Sequence, residues 1–79
     1  MAGQSRTVVR FSTMNITVNG ESHEVPNELT LLKLLEHLGL RSAHVAVEQN
    51  REIVPRADHP ERRVAAGDTF EIVHFVGGG

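Results

Sequence analysis

One amphipathic helix can be read from this chain, and it limits what the rest can be. Leu31, Leu34, Leu35 and Leu38 recur at i, i+3, i+4 and i+7, the period of a helix with one buried face. Thr30 stands where an N-cap belongs, and Gly39 stands where a left-handed residue closes a helix. Leu32 and Leu40 flank the stripe, and Lys33, Glu36 and His37 are left for water. A helix of about nine residues is not stable by itself in water. It needs a second apolar surface, and the remaining sequence supplies one as short alternating runs. One sheet with one helix packed across it, a two-layer α+β domain, is the minimal solution.

The strands follow from alternation and turn chemistry. Residues 15–19 alternate polar and apolar, and Asn19-Gly20 is a favoured type I′ hairpin turn. Residues 22–25 return, and Pro26-Asn27 ends the run. Beyond the helix, residues 44–48 alternate again and Gln49-Asn50-Arg51 turns the chain. Residues 52–55 read as a brief strand whose Pro55 suits a sheet edge. Residues 56–63 are polar, contain Pro60 and leave room for one helical turn. Ala66-Gly67-Asp68 is a tight turn into a last strand over residues 69–76. The order is ββαββ plus a final strand.

In such an arrangement the first and last strands pair in parallel at the sheet centre, under the helix. Phe70 and Ile72 then point to the leucine stripe, and Glu71, Val73 and Phe75 point the other way. Two apolar residues on a bare sheet face read as a docking patch, with scattered surface hydrophobics as the alternative.

Composition excludes several functions. Seventy-nine residues make one domain. The absence of cysteine removes disulfides, thiolate metal sites and any thiol carrier of the chain's own. His23, His37, His44, His59 and His74 show no tight ligand spacing and are read as surface or strand residues. Net charge is −2. With Arg6 and Arg10 set aside, the body after residue 13 has six basic and ten acidic groups, or −4. Nucleic acid wants a dense basic face, whereas this balance fits a basic surface on a protein partner and, equally, solubility alone. No apolar run approaches the ~20 residues of a membrane span, and cytoplasm is the expected compartment.

Residues 1–13 are polar and precede an internal Met14. They are read as a disordered extension, with an added edge strand over residues 7–11 as the alternative. Residues 14–76 form the domain, and Gly77, Gly78 and Gly79 a flexible tail. Glycine has no Cβ and tolerates almost any backbone conformation. Three of them extended project roughly 10 Å, enough to carry a terminal carboxylate down a narrow channel. A frayed, functionless terminus is the competing reading.

Ile16-Thr17-Val18-Asn19-Gly20, then Val45-Ala46-Val47 with Glu52-Ile53-Val54-Pro55-Arg56, then residues 67–79 (GDTFEIVHFVGGG) resemble the ThiS family. Its members are sulfur carrier proteins of bacterial thiamine biosynthesis with a ubiquitin-like β-grasp fold. The resemblance covers residues 14–79 and departs only in the N-terminal extension.

It implies that the Gly79 carboxylate is adenylated and converted to a thiocarboxylate. The implied partners are a ThiF-like adenylyltransferase resembling ubiquitin-activating enzymes, which uses ATP and Mg²⁺, and a sulfur donor fed by a cysteine desulfurase system. A ThiG-like thiazole synthase would receive the sulfur. The chain itself would hold no cofactor and no catalytic residue, with Val73, Phe75 and Val76 meeting the partners. A molybdopterin synthase small subunit is the nearest alternative, although prolines often precede the tail in that group where His74-Phe75-Val76 stands here. A ubiquitin-like modifier and a β-grasp interaction module with an inert tail are the others.

Overall fold

A two-residue turn sets the first hairpin. Asn19 and Gly20 both take positive φ, 50° and 83°, as a type I′ turn requires. They join β1 (Thr13–Val18) to β2 (Glu21–Pro26) as an antiparallel pair. The computed structural model describes residues 12–75. After this hairpin come α1 (Leu31–His37), a 3-10 turn at Ser42–His44, β3 (Val45–Gln49) and β4 (Glu52–Val54). A second 3-10 turn at Arg56–Asp58 precedes β5 (Thr69–His74). The sheet order is β2-β1-β5-β3-β4, with β1 and β5 parallel at the centre and every other pair antiparallel. This is the mixed β-grasp sheet expected from the sequence.

Alternation places Met14, Ile16, Val18, Val25, Val45, Val47, Val54, Phe70 and Ile72 on the helix side, all buried. Leu31, Leu34 and Leu35 have no exposed surface, and Leu38 and Leu40 pack partly buried against the same core. The helix is two residues shorter than the leucine spacing predicts, because the chain leaves helical geometry at Leu38. Gly39 takes φ 79°. Its N–H donates to Glu36 O at 3.0 Å, and Leu40 N–H donates to Leu35 O at 2.8 Å. That pair of bonds is the Schellman closure, which a glycine at this position favours.

The other end of α1 is capped from two directions. Thr30 Oγ1 accepts from Lys33 N–H at 3.2 Å. The N–H groups of Leu31 and Leu32 donate to Arg62 O and His59 O, at 2.8 and 2.9 Å. A seven-residue helix thus finds partners for N–H groups that its own turns cannot satisfy. The polar segment before β5, legible in sequence only as room for a helical turn, supplies those carbonyls.

Several boundaries differ from expectation. β1 begins at Thr13, which pairs with Pro26 and donates its hydroxyl to Glu24 at 2.7 Å, so the folded unit starts before Met14. His44 closes a 3-10 turn and lies outside β3, since the chain must rotate after α1 to enter the sheet. Pro55 stands just past β4, on the sheet edge, and leads into the second 3-10 turn. β5 ends at His74, with one further rung from Phe75 N–H to His44 O at 2.9 Å. The alternative edge strand over residues 7–11 lies outside the described residues, as does Val76.

His59 corrects the reading of the histidines as surface or strand residues. It is buried to 1% exposure, with Nδ1 2.6 Å from Ser42 Oγ and Nε2 without a hydrogen bond. Burial lowers its pKa from the ordinary value, outweighing the opposing pull of the Val54 carbonyl. The imidazole is a neutral filler between the polar segment and the turn after α1.

Candidate functional site

β5 is the strand that leads to the C-terminal glycines, and both of its ends are fastened. At its start, Asp68 accepts hydrogen bonds from Gln49 Nε2 at 2.7 Å, Asn50 Nδ2 at 3.0 Å and Ala65 N–H at 2.8 Å. Burial pushes the Asp68 carboxyl up, but these bonds and the Arg62 charge outweigh it and hold its pKa below the ordinary value. Asn50 Oδ1 in turn accepts from Thr69 N–H at 3.0 Å.

Further along, β1 pairs with β5 only at Thr17–Thr69 and Val18–Phe70 before turning away. The side chain of Asn19 takes over there. It donates to Ile72 O at 3.0 Å and accepts from Ile72 N–H at 2.8 Å. A turn residue thereby extends the ladder by one more rung.

The face of the sheet opposite α1 is where the predicted partner residues lie. Val73 and Phe75 are 61% and 62% exposed, on the side away from the leucines, as alternation predicts. Val76, Gly77, Gly78 and Gly79 lie outside the described residues.

The structure adds a residue that sequence reasoning missed. Ile53, on β4, is 75% exposed. With Ala46, Val47 and Val73 it lines a shallow groove of about 130 Å³, together with Glu48 and Glu71. The signal was present: Ile53 and Val54 are adjacent in one strand, so burial of Val54 forces Ile53 outward.

Among the described residues no group of three His, Asp or Glu side chains comes together as a metal site, and no helix is long and apolar enough to cross a membrane. What the arrangement offers is an exposed face, apolar at Val73 and Phe75 and bordered by Glu48 and Glu71.

The sequence profile of the ThiS family matches residues 9–79. The chain belongs to the ThiS family. It is 36% identical to the thiamine biosynthesis protein ThiS of Geobacter metallireducens, whose crystal structure superposes with a TM-score of 0.72. That match covers 84% of this chain and all of the other. The sulfur carrier protein ThiS of Bacillus subtilis is 42% identical over 50 residues, 63% of this chain and 76% of that protein. A thiazole synthase of Paramagnetospirillum magneticum is 44% identical over 66 residues, 84% of this chain. This chain spans only 20% of that synthase's length. The family match extends through the glycines.

Proposed function

We propose that this ThiS-family chain is a sulfur carrier of thiamine biosynthesis that holds sulfur on the Gly79 carboxyl and acts as a cosubstrate of other enzymes. The observation that carries this reading is positional. An exposed apolar face at Val73 and Phe75 lies on the strand that leads, after Val76, into three glycines.

A carboxylate resists nucleophiles because resonance and negative charge both oppose attack. Adenylation removes both obstacles: a Gly79 oxygen attacks the α-phosphorus of ATP and pyrophosphate leaves. The adenylating enzyme, ThiF-like, would supply ATP and Mg²⁺ in its own site. A persulfide sulfur from a cysteine desulfurase system then attacks the acyl carbon and AMP leaves. Cleavage of the S–S bond by a second thiol leaves the sulfur on Gly79 as a thiocarboxylate. A carrier without cysteine suits this scheme, since its own thiols cannot intercept the activated acyl group.

A ThiG-like thiazole synthase is the proposed acceptor. Thiazole synthases whose chains contain a region similar to this one support that pairing. The chain's part in every step is to dock and to deliver its terminus. Glycine suits the delivery, since a narrow channel admits backbone without a Cβ.

The test is mass spectrometry of the chain isolated from its native cell, alongside ATP-dependent pyrophosphate exchange with the cognate adenylating enzyme. Sulfur in place of one terminal oxygen and exchange that requires Gly79 are expected. Isopeptide adducts on other proteins would turn the reading toward a modifier. An unmodified terminus with no exchange would leave an interaction module.

A further inference from the structure

The five strands contain five glutamates, Glu21, Glu24, Glu48, Glu52 and Glu71, and not one lysine or arginine. Among the described residues Lys33 lies in the helix, and Arg41, Arg51, Arg56, Arg62 and Arg63 lie in the segments between helix and strands. Glu48 and Glu71 are cross-strand partners in the β3–β5 ladder, and both line the groove beside Ala46, Ile53 and Val73. Like charges directly opposite one another destabilise a sheet. Elsewhere the fold relieves exposed carboxylates: Glu52 lies 3.5 Å from Arg62, and Glu36 3.7 Å from Lys33. Among the described residues neither Glu48 nor Glu71 makes an ion pair.

We propose that Glu48 and Glu71 receive a basic side chain of the adenylating enzyme, whose adjoining apolar surface fills the groove between Ile53 and Val73. This rests on the carrier reading for the identity of the partner. Charge complementarity selects the occupant. A cation placed over the pair meets two carboxylates at once and converts a repulsion in the lone chain into attraction in the complex. A guanidinium matches best, because its planar fork presents several donors to two acceptors. Its aliphatic stem can lie along the apolar wall. The neighbouring exposed residues Val73 and Phe75 continue the same surface toward the chain's C-terminal end, so the cation would fix the register in which the tail is presented. Repulsion also gives selectivity, since an acidic surface is turned away.

The test uses the full chain and the purified cognate adenylating enzyme, with affinity measured by calorimetry across a series of sodium chloride concentrations. Wild type should bind with an affinity that falls as salt rises. Glu48→Gln with Glu71→Gln should weaken binding at low salt by about tenfold or more and flatten the salt dependence. The double variant should melt no lower than wild type, because a like-charge pair has been removed. Each single substitution provides the same readout if the double variant fails to fold. An unchanged affinity and salt slope would overturn the proposal, and wild type that shows no binding at low salt would do so as well. Exchange measured in parallel separates the two readings. Exchange with an unaltered salt slope in the variant removes the cation contact alone, and binding without exchange removes the carrier reading alone.

Discussion

The side-chain amide of Asn19 holds both main-chain polar groups of Ile72, accepting from its N–H at 2.8 Å and donating to its carbonyl at 3.0 Å. The two residues are 53 positions apart. Ile72 lies in β5 opposite Val47 of β3, and its main chain faces the side from which β1 has already turned away. The amide therefore substitutes for a missing strand and steadies the segment that carries Val73 and Phe75.

Asn19→Gly should separate this role from the turn. Glycine accepts the positive φ of 50° that Asn19 adopts but has no amide to offer. We expect a loss of about 1–2 kcal/mol of stability from the two bonds. Amide exchange at Ile72 should accelerate by more than at Val47. Stability equal to wild type with unchanged exchange at Ile72 would show that the contact contributes nothing.

The two faces of β5 predict opposite outcomes. Ile72→Ala removes a buried side chain from the core and should cost roughly 2–5 kcal/mol. Val73→Ser with Phe75→Ser changes only exposed positions and should leave unfolding within about 0.5 kcal/mol per site, while weakening the adenylating enzyme's grip. Denaturant titration and calorimetry check both. A reversed order of stability effects would mean that the strand is turned by one residue.

His59 gives the fold a pH dependence whose sign follows from its burial. Its folded pKa is lowered, so below the ordinary histidine value of about 6.5 the unfolded chain binds a proton that the folded chain resists. The stability is fully present above that value and declines as pH falls through it toward the folded pKa. His59→Gln keeps a polar side chain near Ser42 and removes the titration. Melting temperatures followed from pH 8 downward should show wild type losing stability below about pH 6.5 and the variant losing less over the same interval. Parallel curves would assign the acid sensitivity to other groups.

Why some of this could be read in the sequence and some could not has a physical basis. Strand alternation, the Asn19-Gly20 turn, the leucine stripe and Gly39 are local signals, each set by a residue and its neighbours. They were enough for the order of elements along the chain, the helix caps and the exposure of Val73 and Phe75, and chain topology added the parallel pairing of the first and last strands. The buried His59, the Asn19 clamp and the carbonyls of His59 and Arg62 at the start of α1 depend on segments distant in sequence, and no local pattern announces them. Ile53 lies between these cases. Its exposure follows from Val54, but its place beside Val73 needs β3 to lie between β4 and β5. The repulsive Glu48–Glu71 pair likewise appears only once the β3–β5 register is known.

The beginning of the folded unit can be located by truncation. Ser12 O accepts from Asn27 N–H at 2.9 Å, and Thr13 pairs with Pro26 at the end of β2. A chain starting at residue 12 should therefore unfold like the full chain. One starting at Met14 should lose part of the first hairpin, about 1 kcal/mol from the main-chain bond and the Thr13–Glu24 contact. A loss of several kcal/mol on removal of residues 1–11 alone would instead assign them a strand in the sheet.

Chemistry at the terminus is the most demanding test of the carrier reading. Deleting Gly79, or adding one alanine after it, changes nothing in the core, so unfolding should match wild type. Either change shifts the carboxylate by about 3.5 Å along an extended chain. Attack on the α-phosphorus of ATP requires the reacting atoms to sit close and aligned, and about 1 Å of misplacement already costs much of the rate. Pyrophosphate exchange and thiocarboxylate formation should therefore be abolished in both variants. Gly78→Ala keeps the length but adds a Cβ, and it should reduce exchange without altering stability. On the carrier reading, binding to the adenylating enzyme should survive in all three, because the proposed docking face around Val73, Phe75 and Ile53 is intact. Exchange at the wild-type rate by the Gly79 deletion would show that the terminal carboxylate is not the reacting group. The sheet face would then remain as a docking surface without a cargo.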